Sequence, residues 1–188
     1  MEPLASQTAG ALLAGLAVLY PTDTIWGIGC DARNAAAVAR LYKIKERDPQ
    51  KSMLILCTED IVDLDACPQL ATDAGRPTTY ILPPALWQRV LKTPVAANLA
   101  AADGSLGIRL PRHTFCREVI SRLGAPLVST SANLSGRLSP QRYEDIDKEL
   151  LRRVDFCVPP LAALESHETH GSRIVKLLAD GTQTVIRP

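Results

Sequence analysis

Short apolar runs alternate along the chain with stretches whose apolar positions recur every three or four residues, the pattern of an α/β domain. Strands are predicted at Ala17–Tyr20, Met53–Cys57, Thr78–Leu82, Leu106–Leu110, Leu127–Thr130, Arg173–Leu178 and Thr182–Ile186. The continuous apolar run from Ala9 to Tyr20 reads as a core helix leading into the first of them. Asn34 is placed to cap a second helix with Ala35, Val38, Ala39, Leu41 and Tyr42 on one side. Arg40, Lys43, Lys45 and Arg47 gather toward its end, where cations complement the helix dipole. A helix over His113–Leu123 carries Phe115, Val119, Ile120 and Leu123 at helical spacing and stops at Gly124. Ser139 followed by Pro140 predicts another, running through Leu151. Asp180-Gly181 is a hairpin signal between the last two strands, so the sheet is expected to be mixed. No internal repeat, low-complexity stretch or linker divides the chain, and residues 1–188 read as one domain.

Composition adds limits. With 188 residues, 46% apolar and 22% charged, the chain can bury a sizeable core and is neither disordered nor fibrous. The run ending at Tyr20 falls short of the roughly 20 residues a membrane helix needs and lacks the basic flank of a signal peptide, so no membrane partner is expected. The five cysteines are odd in number, scattered and never in a C-x-x-C pair. That arrangement fits neither a disulfide framework nor a zinc site and suits a reducing cytoplasm. A formal net charge of +1 conceals sorted charge. Glu59, Asp60, Asp63, Asp65 and Asp73 form an acidic block without a cation, and Arg109, Arg112, Arg117, Arg122, Arg137 and Arg142 face Glu118 alone between residues 105 and 142.

Four polar segments beside strands carry the candidate chemistry. They are Tyr20–Thr24 with Gly27 and Gly29, Lys45–Lys51, Gly107–Pro111, and Ser129–Gly136. Strand ends are where α/β folds hold ligands. Lys45, Arg47 and Lys51 suit a polyphosphate clamp, or simply a solvated helix end. Ser129, Thr130, Ser131, Asn133 and Ser135 follow an apolar strand, and hydroxyls drawn into such a strand end need partners that a phosphate or carboxylate would supply. An ordinary Ser/Thr turn is the alternative. Familiar catalytic patterns are missing: there is no Walker loop and no nucleophile elbow, and His113, His167 and His170 lack an evident nucleophile. Gly27-Ile28-Gly29-Cys30-Asp31-Ala32 matches a dinucleotide fingerprint only formally, since residues 21–24 separate it from its strand. His167, His170, Glu165 and Glu168 read as a solvated loop before a metal site. Anion-binding loops without a nucleophile or base point to chemistry by positioning, such as phosphoryl or nucleotidyl transfer.

Taken together, Tyr20–Thr24 with Gly27 and Gly29, Lys45-x-Arg47, Gly107-Ile108-Arg109-x-Pro111 and Ser131-Ala132-Asn133-x-Ser135-Gly136 resemble the YrdC-like threonylcarbamoyl-adenylate (threonylcarbamoyl-AMP) synthases of the bacterial TsaC type. The likeness runs from about Leu12 to Arg187. It implies a twisted mixed sheet with helices around an open basic pocket. It also implies a nucleotidyltransferase that joins L-threonine, bicarbonate or CO2, and ATP into threonylcarbamoyl-AMP and pyrophosphate, the first step of t6A formation in tRNA. Mg2+ would accompany ATP, and no protein-bound metal is expected. Lys45, Arg47, Ser131 and Asn133 would be the catalytic set. Arg47, Lys51, Ser131, Asn133, Ser139 and Arg187 would hold ATP, while Thr22, Thr24, Arg109, Ser129 and Ser172 would hold threonine.

The chain departs from the family pattern at Glu46, where glycine is usual, at Ser52 after Lys51, where proline is usual, and at Leu56, where some members carry a threonine-contacting histidine. The linker and second domain of longer relatives have no counterpart, as in the short form. Proteins that transfer the carbamoyl group, and tRNA itself, are possible partners. Two other readings are an RNA-binding or ribosome-assembly factor with the same basic surface, and a carbamoyl-transfer module without the zinc-finger segments such modules carry.

Overall fold

The computed structural model describes residues 2–71, 75–164, 170–178 and 180–188. Helix α1 (Glu2–Leu13) buries Ala5, Ala9 and Leu12 and packs on α4 (Thr114–Leu123), which presents Phe115, Val119, Ile120 and Leu123 to the core. Asn34 caps α2 (Ala35–Lys45) by accepting the Ala37 N–H at 3.0 Å. Gly124 closes α4 in the left-handed conformation at φ 63°. Helix α3 (Pro84–Val90) starts on a proline pair that the sequence pattern does not resolve into a helix.

Among the described residues, nine strands form one mixed sheet: β1 (Val18–Tyr20), β2 (Gly27–Gly29), β3 (Leu54–Leu56), β4 (Thr78–Leu82), β5 (Leu106–Arg109), β6 (Leu127–Ser131), β7 (Phe156–Cys157), β8 (Arg173–Leu177) and β9 (Gln183–Arg187), in the spatial order β7-β1-β2-β6-β3-β5-β4-β8-β9. The seven expected strands are all present. Strand β7 is only two residues long and pairs parallel with β1. Strand β2 is invisible to the hydrophobic pattern because two of its three residues are glycine, a poor strand former. Its composition has a steric cause: a Cβ on Gly29 would stand 1.7 Å from the Val128 carbonyl oxygen, so only glycine lets β2 lie against β6. The Gly27-Ile28-Gly29 stretch is therefore a strand and not a phosphate turn. The hairpin around Asp180 and Gly181 joins antiparallel β8 and β9, with Gly181 at φ 85°.

The expected helix from Ser139 to Leu151 is replaced by irregular chain, a 3-10 turn at Tyr143–Asp145 and a short α5 (Lys148–Arg153). Asp147 caps α5 by accepting the Glu149 N–H. The Tyr143 ring packs edge-on to Trp26, with centroids 5.0 Å apart, and Ile146 is buried. Those contacts fix the segment as a turn, leaving its start free to approach the site described next.

Candidate active site

Side chains alternate between the faces of a strand, and the register sets Ser129, Leu54, Gly107 and Ile81 side by side across β6, β3, β5 and β4. This row lines an open cleft of about 350 Å³, within the range of small-molecule sites. Thr79 and its cross-strand partner Ile174 continue the lining toward β8. Gly107 keeps the floor low, since a Cβ there would meet Leu54 Cβ at 3.2 Å.

Thr22, Thr24, Arg47, Arg109, Ser129, Ser131, Ser139, Ser172 and Arg187, all candidates from the sequence, line this one cleft. Lys45, Lys51 and Asn133 do not. Among the described lining residues the charged side chains are three arginines, and none is Asp, Glu, His, Cys or Lys.

Arg109 is 3% exposed at the end of β5. Its Nη2 lies 3.2 Å from Asp23 Oδ1, and Asp23 Oδ2 accepts the Arg112 N–H. Its Nη1 donates to Thr24 Oγ1 at 3.3 Å. Thr22 gives its only hydroxyl proton to the Ile25 carbonyl at 2.8 Å, so in the 2.9 Å contact between the threonines Thr24 is the donor. A directed chain results, from the guanidinium through two hydroxyls to a main-chain carbonyl. Arg109 Nε is buried and has no partner among the described residues.

Arg47 leaves the end of α2 and is held by the Lys51 and Ser52 carbonyls at 3.0 and 2.9 Å. Lys51 thus holds Arg47 through its backbone, while its exposed side chain stays off the cleft surface. Arg187 reaches in from β9. Burial and the charge of Arg109 lower its guanidinium from the ordinary value. Both guanidiniums line the same cleft.

Lys45 is 1% exposed and lies behind the surface. It follows Val38, Leu41 and Tyr42 along the buried stripe of α2, at spacings of seven, four and three residues. The helix phase alone therefore directs it inward, and that signal was available in the sequence beside the basic clustering. Its ammonium donates to the Ser131 carbonyl and to Asn133 Oδ1. Burial, and secondarily the charge of Arg47, pull it from 10.5 to about 7. Asn133 also accepts the Ser131 hydroxyl and donates to the Leu134 and Arg137 carbonyls. Lys45 and Asn133 form the frame of the Ser131 loop.

Glu46 has φ 51°, the one positive φ of a non-glycine residue among those described. The chain must turn left-handed there to leave α2, which explains why glycine suits the position. The Glu46 carboxylate pairs with Arg153 at 2.7 Å and does not line the cleft. Leu56 is fully buried beside Arg109 in the β3–β5 register and offers no polar contact. The loop of Glu165, His167 and Glu168 lies outside the described residues. Among described residues no group of three His, Cys, Asp or Glu side chains could hold a metal ion. Cys30, Cys57, Cys67 and Cys116 are buried free thiols, and burial pushes each one up. No described helix is long and apolar enough to cross a membrane. Thr79 escaped the sequence reading, although a polar residue inside an apolar strand is a usable signal.

The Sua5/YciO/YrdC family model, described as telomere recombination, matches residues 10–188. The chain belongs to the Sua5/YciO/YrdC family. It is 34% identical over 162 residues to the threonylcarbamoyl-AMP synthase of Xanthomonas axonopodis pv. citri (strain 306), covering 81% of this chain and 83% of that one. It is 35% identical over 167 residues to the threonylcarbamoyl-AMP synthase of Stenotrophomonas maltophilia (strain K279a), covering 82% and 86%. Its fold matches the crystal structure of P. abyssi Sua5 complexed with L-threonine at a TM-score of 0.83 and 20% identity. All of this chain and 54% of that longer one are covered, so the chain spans about half of that protein.

Proposed function

We propose that the protein is a threonylcarbamoyl-AMP synthase, acting on L-threonine, bicarbonate or CO2, and ATP. The observation that carries this reading is the cleft itself, with three guanidiniums and several hydroxyls but no thiol, amine, imidazole or carboxylate among its described lining. Such a wall aligns and neutralises anions that supply the reactive groups themselves. The names of the bacterial relatives point the same way.

In this reading the threonine amine adds to CO2 and releases a proton, forming a carbamate. A carbamate oxygen attacks the α-phosphorus of ATP, the bond to the β-phosphate oxygen breaks, and pyrophosphate leaves. Arg109 holds the threonine carboxylate, which would satisfy its unpartnered Nε–H. Thr24, Ser129 and Ser172 complete that end, and Thr22 fixes Thr24. Arg47, Ser131, Ser139 and Arg187 face the nucleotide, with Lys45 and Asn133 holding the Ser131 loop behind them. Mg2+, brought with ATP, would neutralise phosphate charge beside Arg47 and Arg187. The product is a reactive mixed anhydride suited to transfer onto tRNA by other proteins.

The reading of the chain as an RNA-binding factor loses its main support in the structure. Arg109, Arg117, Arg122, Arg137 and Arg142 sit in ion pairs with Asp23, Glu59, Glu118, Asp147 and Asp145.

Pyrophosphate release from ATP by the purified protein tests the proposal. It is expected only with threonine and bicarbonate both present, and Arg47→Ala is expected to lower it at least tenfold with stability preserved, since charge-assisted bonds are worth about 1.5–3 kcal/mol. Release that ignores threonine refutes the reading.

A further inference from the structure

Thr79 is 2% exposed on β4, lines the cleft, and has no part in the site as set out so far. Its Oγ1 lies 2.7 Å from the Oγ of Ser172, itself 3% exposed. Neither hydroxyl has another hydrogen-bond partner among the described residues. Two hydroxyls carry two protons, and one proton suffices to bridge them. The second remains for whatever occupies the cleft, presented by whichever of the two hydroxyls accepts the bridge, and the contact fixes the position of both oxygens.

Ser172 works at both of its ends. Its carbonyl accepts Nε of Arg187 at 2.9 Å and Nη2 at 2.6 Å. The residue before it must leave room, because a Cβ on Gly171 would stand 2.7 Å from Arg187 Nη2. Parallel pairing of β4 with β8 brings the parts together: Thr79 opposes Ile174, and the Arg173 N–H donates to the Pro77 carbonyl, which sets the approach of Ser172 to β4.

We propose that Thr79 is a positioning residue of the cleft, fixing the Ser172 hydroxyl from β4 and, through the Ser172 main chain, the guanidinium of Arg187. The kinetic consequence rests on the synthase reading; the structural one does not. One hydroxyl on a buried strand thereby ties the amino-acid end of the cleft to its nucleotide end.

The test compares wild type, Thr79→Val, which keeps the shape and removes the hydroxyl, and Thr79→Ser, which restores it. In steady-state pyrophosphate release, Thr79→Val is expected to raise the threonine KM about fivefold to tenfold with kcat within about twofold, and Thr79→Ser to return KM to within about twofold of wild type. In 15N-resolved NMR, the Arg187 Nε–H proton is expected to exchange at least about fivefold faster in Thr79→Val and at the wild-type rate in Thr79→Ser. A Thr79→Val protein with lowered Tm but unchanged threonine KM and unchanged Arg187 exchange overturns the proposal and leaves Thr79 as core filling. If the wild type releases pyrophosphate without threonine, the synthase reading fails, and the Arg187 exchange comparison still decides the role of Thr79.

Discussion

Replacing Lys45 by methionine exposes an unusual electrostatic feature of the fold. The ammonium is 1% exposed on the apolar stripe of α2, and its value falls from 10.5 to about 7, chiefly through burial. A difference of roughly 3.5 pH units at about 1.4 kcal/mol each makes the charged form cost the native state about 5 kcal/mol at low pH. Between pH 7 and 10.5 the unfolded chain binds this proton and the native protein largely does not, so the stability of wild type rises with pH across that window. Over pH 6.5 to 8.5 the rise from this group is about 2 kcal/mol. The buried thiols are pushed up from 9.0, so they act above this interval and equally in both proteins. Methionine fills a similar volume without a charge and removes one donor each from the Ser131 carbonyl and Asn133 Oδ1, which keep the Asn133 N–H and the Ser131 hydroxyl as partners, so neither acceptor is left unpaired. Urea denaturation followed by tryptophan fluorescence at four pH values measures the difference. Wild type is expected to gain about 2 kcal/mol on Lys45→Met from pH 6.5 to 8.5. Parallel pH profiles for the two proteins would refute the assignment of a buried, near-neutral lysine.

Two further substitutions separate frame from surface. Glu46→Gly relieves a left-handed strain of about 1 kcal/mol and gives up only an exposed ion pair, so Tm should rise by about 2–4 °C in a thermal melt; a fall would mean that the Arg153 contact outweighs the backbone. Asn133→Ala removes the partner of Ser131 and the donor to two carbonyls, and is expected to lose both activity and about 2 kcal/mol of stability by urea titration, in contrast to Arg47→Ala, which keeps its stability.

The difference between Arg47 and Lys45 shows where sequence reading stops. Both are basic residues at the end of one helix, and a phosphate clamp takes them together. Helix phase separates them: Lys45 continues the Val38 and Leu41 stripe, while Arg47 lies past the left-handed turn at Glu46 and is free to face the cleft. The strands were legible wherever apolar residues ran together. They were not legible at β2, whose glycines answer to a close approach of β6 that only the assembled sheet imposes. Ser139 has the chemistry of a helix cap, yet Asp147 takes that role, because packing of Tyr143 on Trp26 holds the intervening chain in a turn.

Local chemistry and periodicity, which act between neighbours in the chain, determined the α/β class, the hairpin at Asp180-Gly181, the caps at Asn34 and Gly124, and the polar segments that line the cleft. Tertiary structure decided which member of each segment reaches the cleft. Thr79 and Ser172 are 93 positions apart, and Arg109 and Thr24 are 85 apart. Contacts at such separations depend on strand order and register across the whole sheet, which no window of sequence contains.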